Sequence, residues 1–559
     1  MRRTWVALLV AALACSSHRS TVTAEDAGDD AGGQPDAGDC PTGDDTIGEA
    51  GVAPFQDIAQ AAGLPAVGDS CMAFEDLDGD GHVDVLLATP ANLVLYLGDG
   101  AGGFHARPIP FTPFAATGAA GTGTCAVGDV DADGKPDIVL TSVGAIEAHY
   151  LHNLGGGSFQ DTQTLVPPLP TAYGIMGAGL ADFDGDGRLD LVVAAWSLDN
   201  GLSTGSATCG CVPDGYACVI PGTRCLPPPV VYLNDGTGGF TTTPHSLGSP
   251  SDCGPANTNA LGIADYDGDG RPDVFIADDW GTDRLYLNGT GMQFTEVWST
   301  LGTKGYNHAM GVAFEDFDRD GRLDVYVSDI GSDQLYLGTG SGLAFHGEDW
   351  GVAAPTRFHS GWAPLAEDFD SDGWLDVYLA SSALVGSYAD LAAIGSEGQL
   401  QAREQYDLLL HDVGGHGFTP EWIAQTQQAE PTPTHGAAAV ADYDADGRLD
   451  ILEAVGTPMR LELLHNVSPA QHWIDVRLHG NPPNVDGIGA VIALSAGSAP
   501  ISRRLVERAR GSVGSSWPVA HFGLGAATAI GDVVVTWPGG ATQTVPSPAE
   551  DAVLTIVQP

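Results

Sequence analysis

Seven nine-residue stretches of this chain carry aspartate at positions 1, 3, 5 and 9 and glycine at position 6. They read DLDGDGHVD from Asp76, DVDADGKPD from Asp129, DFDGDGRLD from Asp182, DYDGDGRPD from Asp265, DFDRDGRLD from Asp316, DFDSDGWLD from Asp368 and DYDADGRLD from Asp442. Alternate carboxylates in a loop that turns sharply at a glycine converge on one point, and a hard cation takes oxygen ligands in such a cage. Calcium tolerates an irregular cage better than magnesium does, so Ca2+ at about seven sites is the expected cofactor.

In the first loop the expected ligands are the side chains of Asp76, Asp78, Asp80 and Asp84 and the backbone carbonyl of His82. The same offsets assign Asp129, Asp131, Asp133 and Asp137 with Lys135; Asp182, Asp184, Asp186 and Asp190 with Arg188; and Asp265, Asp267, Asp269 and Asp273 with Arg271. They also assign Asp316, Asp318, Asp320 and Asp324 with Arg322; Asp368, Asp370, Asp372 and Asp376 with Trp374; and Asp442, Asp444, Asp446 and Asp450 with Arg448. A single loop of this kind would pass for an ordinary surface turn, since Asp and Gly favour turns. Seven of them without counter-ions would set clustered like charges against the fold. The expected role is structural rather than catalytic, because carboxylates that ligate calcium stay ionised and make poor general acids.

These loops are not EF-hands, which need a glutamate at position 12 and a helix on each side. Position 12 is Leu87, Leu140, Val193, Ile276, Val327, Leu379 or Glu453. Short branched-apolar runs follow each loop (VDVLLA, PDIVLT, LDLVVAA, PDVFIAD, LDVYVSD, LDVYLAS, LDILEAV) and read as strands. A second repeated element comes next: LVLYLGDGAGGF at 93–104, HYLHNLGGGSF at 149–159, VVYLNDGTGGF at 230–240, and looser copies at 284–294, 334–345 and 408–418. Each is a strand, a glycine-rich turn and a second strand opening at Phe. The last copy, at 461–473, lacks its Phe-led strand, while Phe55 opens one that has no hairpin before it. A ring whose last blade is completed from the N-terminus satisfies both ends. The expected fold class is therefore all-β: a seven-bladed β-propeller over 51–470, with insertions at about 197–229 and 382–405. Short alternating strands from 471 to 559 predict a separate small β domain with no Asp loop.

The chain has 559 residues, 43% hydrophobic, with 77 glycines and a formal charge of -51. That charge argues against nucleic acid as a partner. Arg2 and Arg3, then an apolar run to Ala14, read as an export signal over 1–15, with residues 16–50 as a disordered acidic tether. The stretch ending at Cys15 resembles a bacterial lipobox, which would anchor the chain to a membrane through lipid; ordinary signal-peptidase cleavage is the alternative. Export to the cell envelope is expected, as an outer-membrane lipoprotein or a secreted protein. No other segment reads as membrane-spanning. Apart from Cys15, eight cysteines remain, which suits an oxidising location. Cys71 and Cys125 precede the first two Asp loops on neighbouring strands and form a plausible pair. Cys40 has no evident partner. Cys209, Cys211, Cys218 and Cys225, with Cys253 nearby, read as a disulfide-stapled insertion or as a zinc site.

The Asp loops and the strands after them resemble the FG-GAP, or VCBS, repeats of integrin alpha chains. The C-terminal segment, with Asn484-Val-Asp-Gly-Ile-Gly-Ala490, Trp517-Pro-Val-Ala-His-Phe-Gly-Leu-Gly525 and Asp532-Val-Val-Val-Thr-Trp-Pro-Gly-Gly540, resembles the ASPIC/UnbV domain. Together they look like the cartilage acidic protein family in its bacterial form. The usual Ser-Gln of that domain stands here as Ser515-Ser516. The resemblance implies extracellular calcium binding and an adhesion-like role.

His308, His359 and His435 lie shortly before Asp loops, where strands would begin near the propeller axis; Tyr173 and Asn259 hold similar places. Such groups could ring one mouth of the channel and take a small ligand or a transition metal, with Trp280, Trp350 and Trp362 beside them. Alternatively, each histidine satisfies a local carbonyl. His521 is expected to have a structural role, such as hydrogen-bonding a turn. No HExxH or GxxxxGK[ST] motif is present, and no GxSxG reads as a strand-to-helix nucleophile elbow. The leading reading is a calcium-stabilised, monomeric surface module that binds an extracellular protein or polysaccharide. The alternative is a secreted hydrolase or lyase using His308, His359 and His435 at the axis.

Overall fold

The computed structural model describes residues 54–66, 71–89, 92–114, 122–166, 173–197, 208–212, 215–219, 228–248, 257–279, 282–303, 308–357, 359–381, 407–412, 414–423, 436–455, 460–496, 501–508 and 514–559. The expected signal and tether, the insertion at 382–405, Cys15, Cys40, Cys225, Cys253, Trp280 and His435 lie outside them.

Every Asp loop joins two antiparallel strands, because the apolar runs on both sides are too short for helices and rich in β-branched and aromatic residues. In the first sheet Cys71–Glu75 leads into the loop, Asp84–Ala88 returns, and Leu93–Gly98 and Phe104–Ile109 add the hairpin. Four-stranded sheets of the same order follow over 122–165, 173–246, 257–296, 309–345 and 361–423. The last contains Ala437–Ala441, Asp450–Val455 and Arg460–Asn466, and it takes its outer strand from the far end of the chain: Phe55 pairs with Asn466 and Asp57 with Leu464. First strands of successive sheets pack side by side, and the last packs on the first. Among the described residues this makes a ring of seven sheets, the arrangement of a β-propeller closed by its N-terminal strand. The sheets are numbered as blades one to seven in chain order below.

The middle of the ring is filled. Met72, Met176, Met310, Trp362 and Ala437, from five different blades, share one buried apolar cluster. Cys71 and Cys125, on the first strands of blades one and two, form the disulfide expected for them. It closes a separation of 54 residues. Replacing both cysteines with serine is expected to cost about 2–4 kcal/mol, mainly through a less constrained unfolded chain, as read by urea denaturation with and without reductant. Within the insertion, Thr208–Val212 and Gly215–Val219 form a hairpin whose register sets Cys209 opposite Cys218 and Cys211 opposite Tyr216.

The C-terminal segment builds two sheets, one of His472–His479, Val519–Gly525 and Ala552–Val557, the other of Val491–Leu494, Ser502–Leu505, Val533–Thr536 and Thr542–Val545. Ile474, Val476, Ile492, Phe522, Val535 and Trp537 pack between them. It also contacts the ring. Gly514–Ser516 leaves it and pairs in parallel with the first strand of blade one, Met72 against Gly514 and Phe74 against Ser516. Glycine is required there, since a Cβ on Gly514 would lie 2.2 Å from the Ala438 carbonyl oxygen of blade seven. His521 bonds no turn. It faces Asp475 on the neighbouring strand, Nδ1 to Oδ1 at 2.8 Å, and stacks on Trp473.

Candidate metal centres

The ninth aspartate of each loop is the first residue of the returning strand and is buried in all seven blades. One of its oxygens accepts the N–H of loop position 2, as Leu77 gives to Asp84 Oδ2 at 3.0 Å. The other accepts an N–H from the third strand, as Gly98 gives to Asp84 Oδ1 at 2.9 Å. The first aspartate takes the N–H of the position-6 glycine, Gly81 to Asp76 Oδ2 at 2.9 Å in loop one, and the fifth takes the N–H of position 7. The backbone is thus folded around the carboxylates. Position 4 has a left-handed φ in every loop, including the non-glycine residues Ala132, Arg319, Ser371 and Ala445, a strain held by these bonds.

Folding this way crowds the carboxylates. Oxygens of Asp76, Asp78 and Asp84, and of Asp129, Asp131 and Asp137, lie within 4.8 Å of one another. Burial is the first cause that pushes the carboxyls of Asp84, Asp190 and Asp273 up to about 7 and that of Asp324 up to about 8, with the neighbouring aspartates raising them further. Asp316 Oδ1, Asp368 Oδ1 and Asp444 Oδ1 are fully buried without a hydrogen-bond partner. Crowded, all-oxygen sets with such orphan atoms fit a hard divalent cation.

Three features of these centres are absent from the sequence reading. The first is at position 7, which entered only through its carbonyl: the side chains of Lys135, Arg188, Arg271, Arg322 and Arg448 fold back onto the fifth aspartates Asp133, Asp186, Asp269, Asp320 and Asp446. The second is a histidine on the third strand of blades two, six and seven. His152 Nδ1 stands 3.2 Å from Asp131, His411 Nδ1 3.1 Å from Asp376 and His465 Nδ1 3.1 Å from Asp450. Each also forms a possible ligand group with the third and fifth aspartates of its loop. The third is an asparagine next along that strand: Nδ2 of Asn153, Asn234, Asn288 and Asn466 donates to the loop backbone of the preceding blade at 2.7–2.9 Å. The recurring pairs LHN and YLN carry the last two signals in plain sight.

Among the described residues, those proposed for the axis lie in separate buried contacts. His308 is buried and paired with Asp279, Nδ1 to Oδ1 at 2.8 Å, and His359 is buried against the Ser381 hydroxyl. Asn259 donates to the Ala309 carbonyl of the next blade. Trp350 packs on Phe418, and Trp362 belongs to the central apolar cluster. Only the backbone of Tyr173 is described, and His435 lies outside the described residues.

The loop-bearing face carries the C-terminal domain instead. Glu75, Glu315 and Glu367 immediately precede the loops of blades one, five and six. Arg508 pairs with Glu75 and reaches Asp486 at 3.0 Å, while Arg504 pairs with Glu367 and with Glu315 at 3.4 Å. Arg503 meets the loop itself, Nη1 to Asp316 Oδ2 at 3.1 Å. The Ser515 hydroxyl donates to Glu75, and Ser516 Oγ accepts the Val440 N–H. Beside this contact a cleft of about 1300 Å³ opens over blades two to five, lined by Asp267, Asp269, Arg271, Arg503, Trp537 and Pro538 among others.

Residues 76–140, 142–193, 265–327 and 316–379 match the family model for the FG-GAP-like repeat, and residues 480–559 match that for ASPIC and UnbV. This chain is an FG-GAP repeat protein with an ASPIC/UnbV domain. Cartilage acidic protein 1 of Xenopus tropicalis is 27% identical to this FG-GAP protein over 300 residues, 51% of this chain and 43% of the relative. The Homo sapiens protein of that name is 27% identical over 304 residues, 51% and 42%. The chain thus spans less than half the length of these relatives. Among solved structures, an Agrocybe aegerita lectin that recognises non-reducing terminal N-acetylglucosamine aligns at 18% identity and a TM-score of 0.40, over 67% of this chain and 85% of the lectin. No helix among the described residues of the FG-GAP protein is long and apolar enough to cross a membrane.

Proposed function

We propose that this chain is an exported, calcium-stabilised module that binds a protein or a polysaccharide outside the cell. The observation that carries the reading is the loop geometry: in every blade the ninth aspartate ties the loop to the third strand, and in blades one and two the first and third aspartates gather beside it. A cation at that point joins three strands of a blade, so occupancy stiffens the whole ring rather than one turn. Calcium is the ion that suits an irregular set of oxygen donors at seven such places. The cleft between the propeller and the C-terminal domain is the recognition surface in this reading, because charged groups of both signs and an aromatic ring converge there. The FG-GAP and ASPIC/UnbV matches and the cartilage acidic protein relatives support an extracellular location. In the cell envelope, a lipid on Cys15 would tether the module to the outer membrane.

The test is a binding screen of the full chain against envelope and matrix glycans and proteins, in calcium and in EDTA. At least one ligand is expected to bind in calcium, to weaken at least tenfold in EDTA, and to weaken on Asp267→Asn or Arg503→Ala. Binding that is indifferent to calcium and to both substitutions would refute the assignment of the surface and of the ion's role.

A further inference from the structure

One glutamate stands outside all of these roles. Glu453 is twelfth in the last Asp loop, where the other six copies have Leu, Val or Ile. An EF-hand returns a glutamate at that position to its own ion because a helix follows. Here a strand follows. Successive residues of a strand face opposite ways, so a side chain three residues beyond Asp450 turns away from the loop and stands about 10 Å along the strand from it.

Glu453 instead enters the seam between blades six and seven, where it is fully buried. Glu462 faces it in register on the neighbouring strand and is 2% exposed. Asp407, the first residue of the third strand of blade six, is fully buried and reaches Glu453 within hydrogen-bonding range. The Tyr378 hydroxyl donates to Glu453 Oε2 at 2.8 Å, the Ser381 N–H donates to Asp407 Oδ1 at 2.6 Å, and Arg460 holds Glu462 Oε1. Glu453 Oε1 and Glu462 Oε2 remain fully buried without a hydrogen-bond partner.

Two buried carboxylates elsewhere in the ring are held by a buried guanidinium: Arg284 grips Asp278 through Nε at 2.7 Å and Nη2 at 3.0 Å, and Arg504 holds Glu367. Like charges set directly opposite on paired strands destabilise a sheet, and more so when desolvated. Burial first, then the charges of Asp407 and Glu462, push the Glu453 carboxyl far above the usual range, and Glu462 is pushed up to about 7 by burial and then by Asp407.

We infer that Glu453, Glu462 and Asp407 hold a hard divalent cation in the seam between blades six and seven, separate from the Asp loops. Three carboxylates from three strands of two blades supply the oxygen donors, and the two orphan oxygens supply the open valences. The ion would lock blade six to the blade that the N-terminal strand closes.

The probes are calcium alone and, separately, manganese alone. The full chain is dialysed to equilibrium, and its metal content is measured for wild type and for Glu453→Gln/Glu462→Gln. The variant is expected to hold one ion per chain fewer. It should melt above wild type in EDTA, since two repelling charges are gone, and below wild type in the metal. Equal metal content with both ions, and a variant more stable in both media, would overturn the site and leave three carboxyls that share protons. Should the double variant not fold, Glu462→Gln alone carries the same comparison, and unchanged content there rejects the site equally. Neither variant changes an aspartate of the loops, so the difference in content reads this seam whatever the loops hold.

Discussion

Stripping calcium from the full chain is expected to unfold the ring at temperatures where the loaded protein is intact. An ion that binds only the folded state stabilises it by about 2.7 kcal/mol when present at a hundred times its dissociation constant. Several such sites together amount to on the order of 10 kcal/mol, comparable to the whole stability of an ordinary domain. The pH dependence should change sign with the ion. Without metal, Asp84, Asp190 and Asp273 have carboxyls raised from 3.8 to about 7, so the folded state holds their protons more tightly than the unfolded state. Folding is then favoured below the unfolded value, and that stability is lost as pH rises through the window from 3.8 to about 7. With calcium bound the ionised carboxylates are the stable form, and protons compete with the ion, so stability falls as pH falls. Melting curves at pH 5.5 and 7.5, in calcium and in EDTA, should therefore cross. Replacing Asp84 with alanine adds a local cost: the N–H groups of Leu77 and Gly98 lose their acceptor, at about 1–3 kcal/mol for each that stays buried. Identical melting in calcium and EDTA, for wild type and for Asp84→Ala alike, would contradict a structural ion.

The second large effect concerns the junction of the two domains. Arg508→Ala is expected to destabilise the chain by about 3–5 kcal/mol, because Glu75 has no exposed surface and would be left as an uncompensated buried charge. The Gly514–Ser516 strand is tied to the same glutamate through Ser515. Urea denaturation should show the loss, and limited proteolysis should show earlier release of the C-terminal domain. Adding Glu75→Gln to Arg508→Ala should recover part of the stability, since the stranded charge is then removed. Additive effects of the two substitutions would mean that docking rests on the other contacts, those of Arg504 and Ser516.

Much of the scaffold is legible in the residues alone. Asp at positions 1, 3, 5 and 9, glycine at 6 and the branched-apolar run that follows act within one loop and one strand, so each copy announces itself. The ring closure was readable too, because a Phe-led strand missing from one end of the chain and spare at the other leaves a visible remainder. Cys71 and Cys125 fall just before two consecutive Asp loops, and the strands that enter consecutive loops are neighbours in space.

The residues alone settle what repeats: the loops, the strand order, the all-β class and the junction between blades one and two. The tertiary structure alone decided what occurs once and at long range. Ser515 meets Glu75 across 440 residues, and no period links them. The Gly-Ser-Ser strand has too little apolar character to be recognised as a strand, and it pairs only because blade one offers its inner edge and Gly514 allows the approach to Ala438. His308 and His359 stand eight and nine residues before their loops, so the spacing set no common direction, and each has a different partner in the fold. Glu453 was visible as an oddity of position 12. That it turns from its own loop toward Asp407 and Glu462 follows from strand geometry, but which groups await it there depends on how two blades pack.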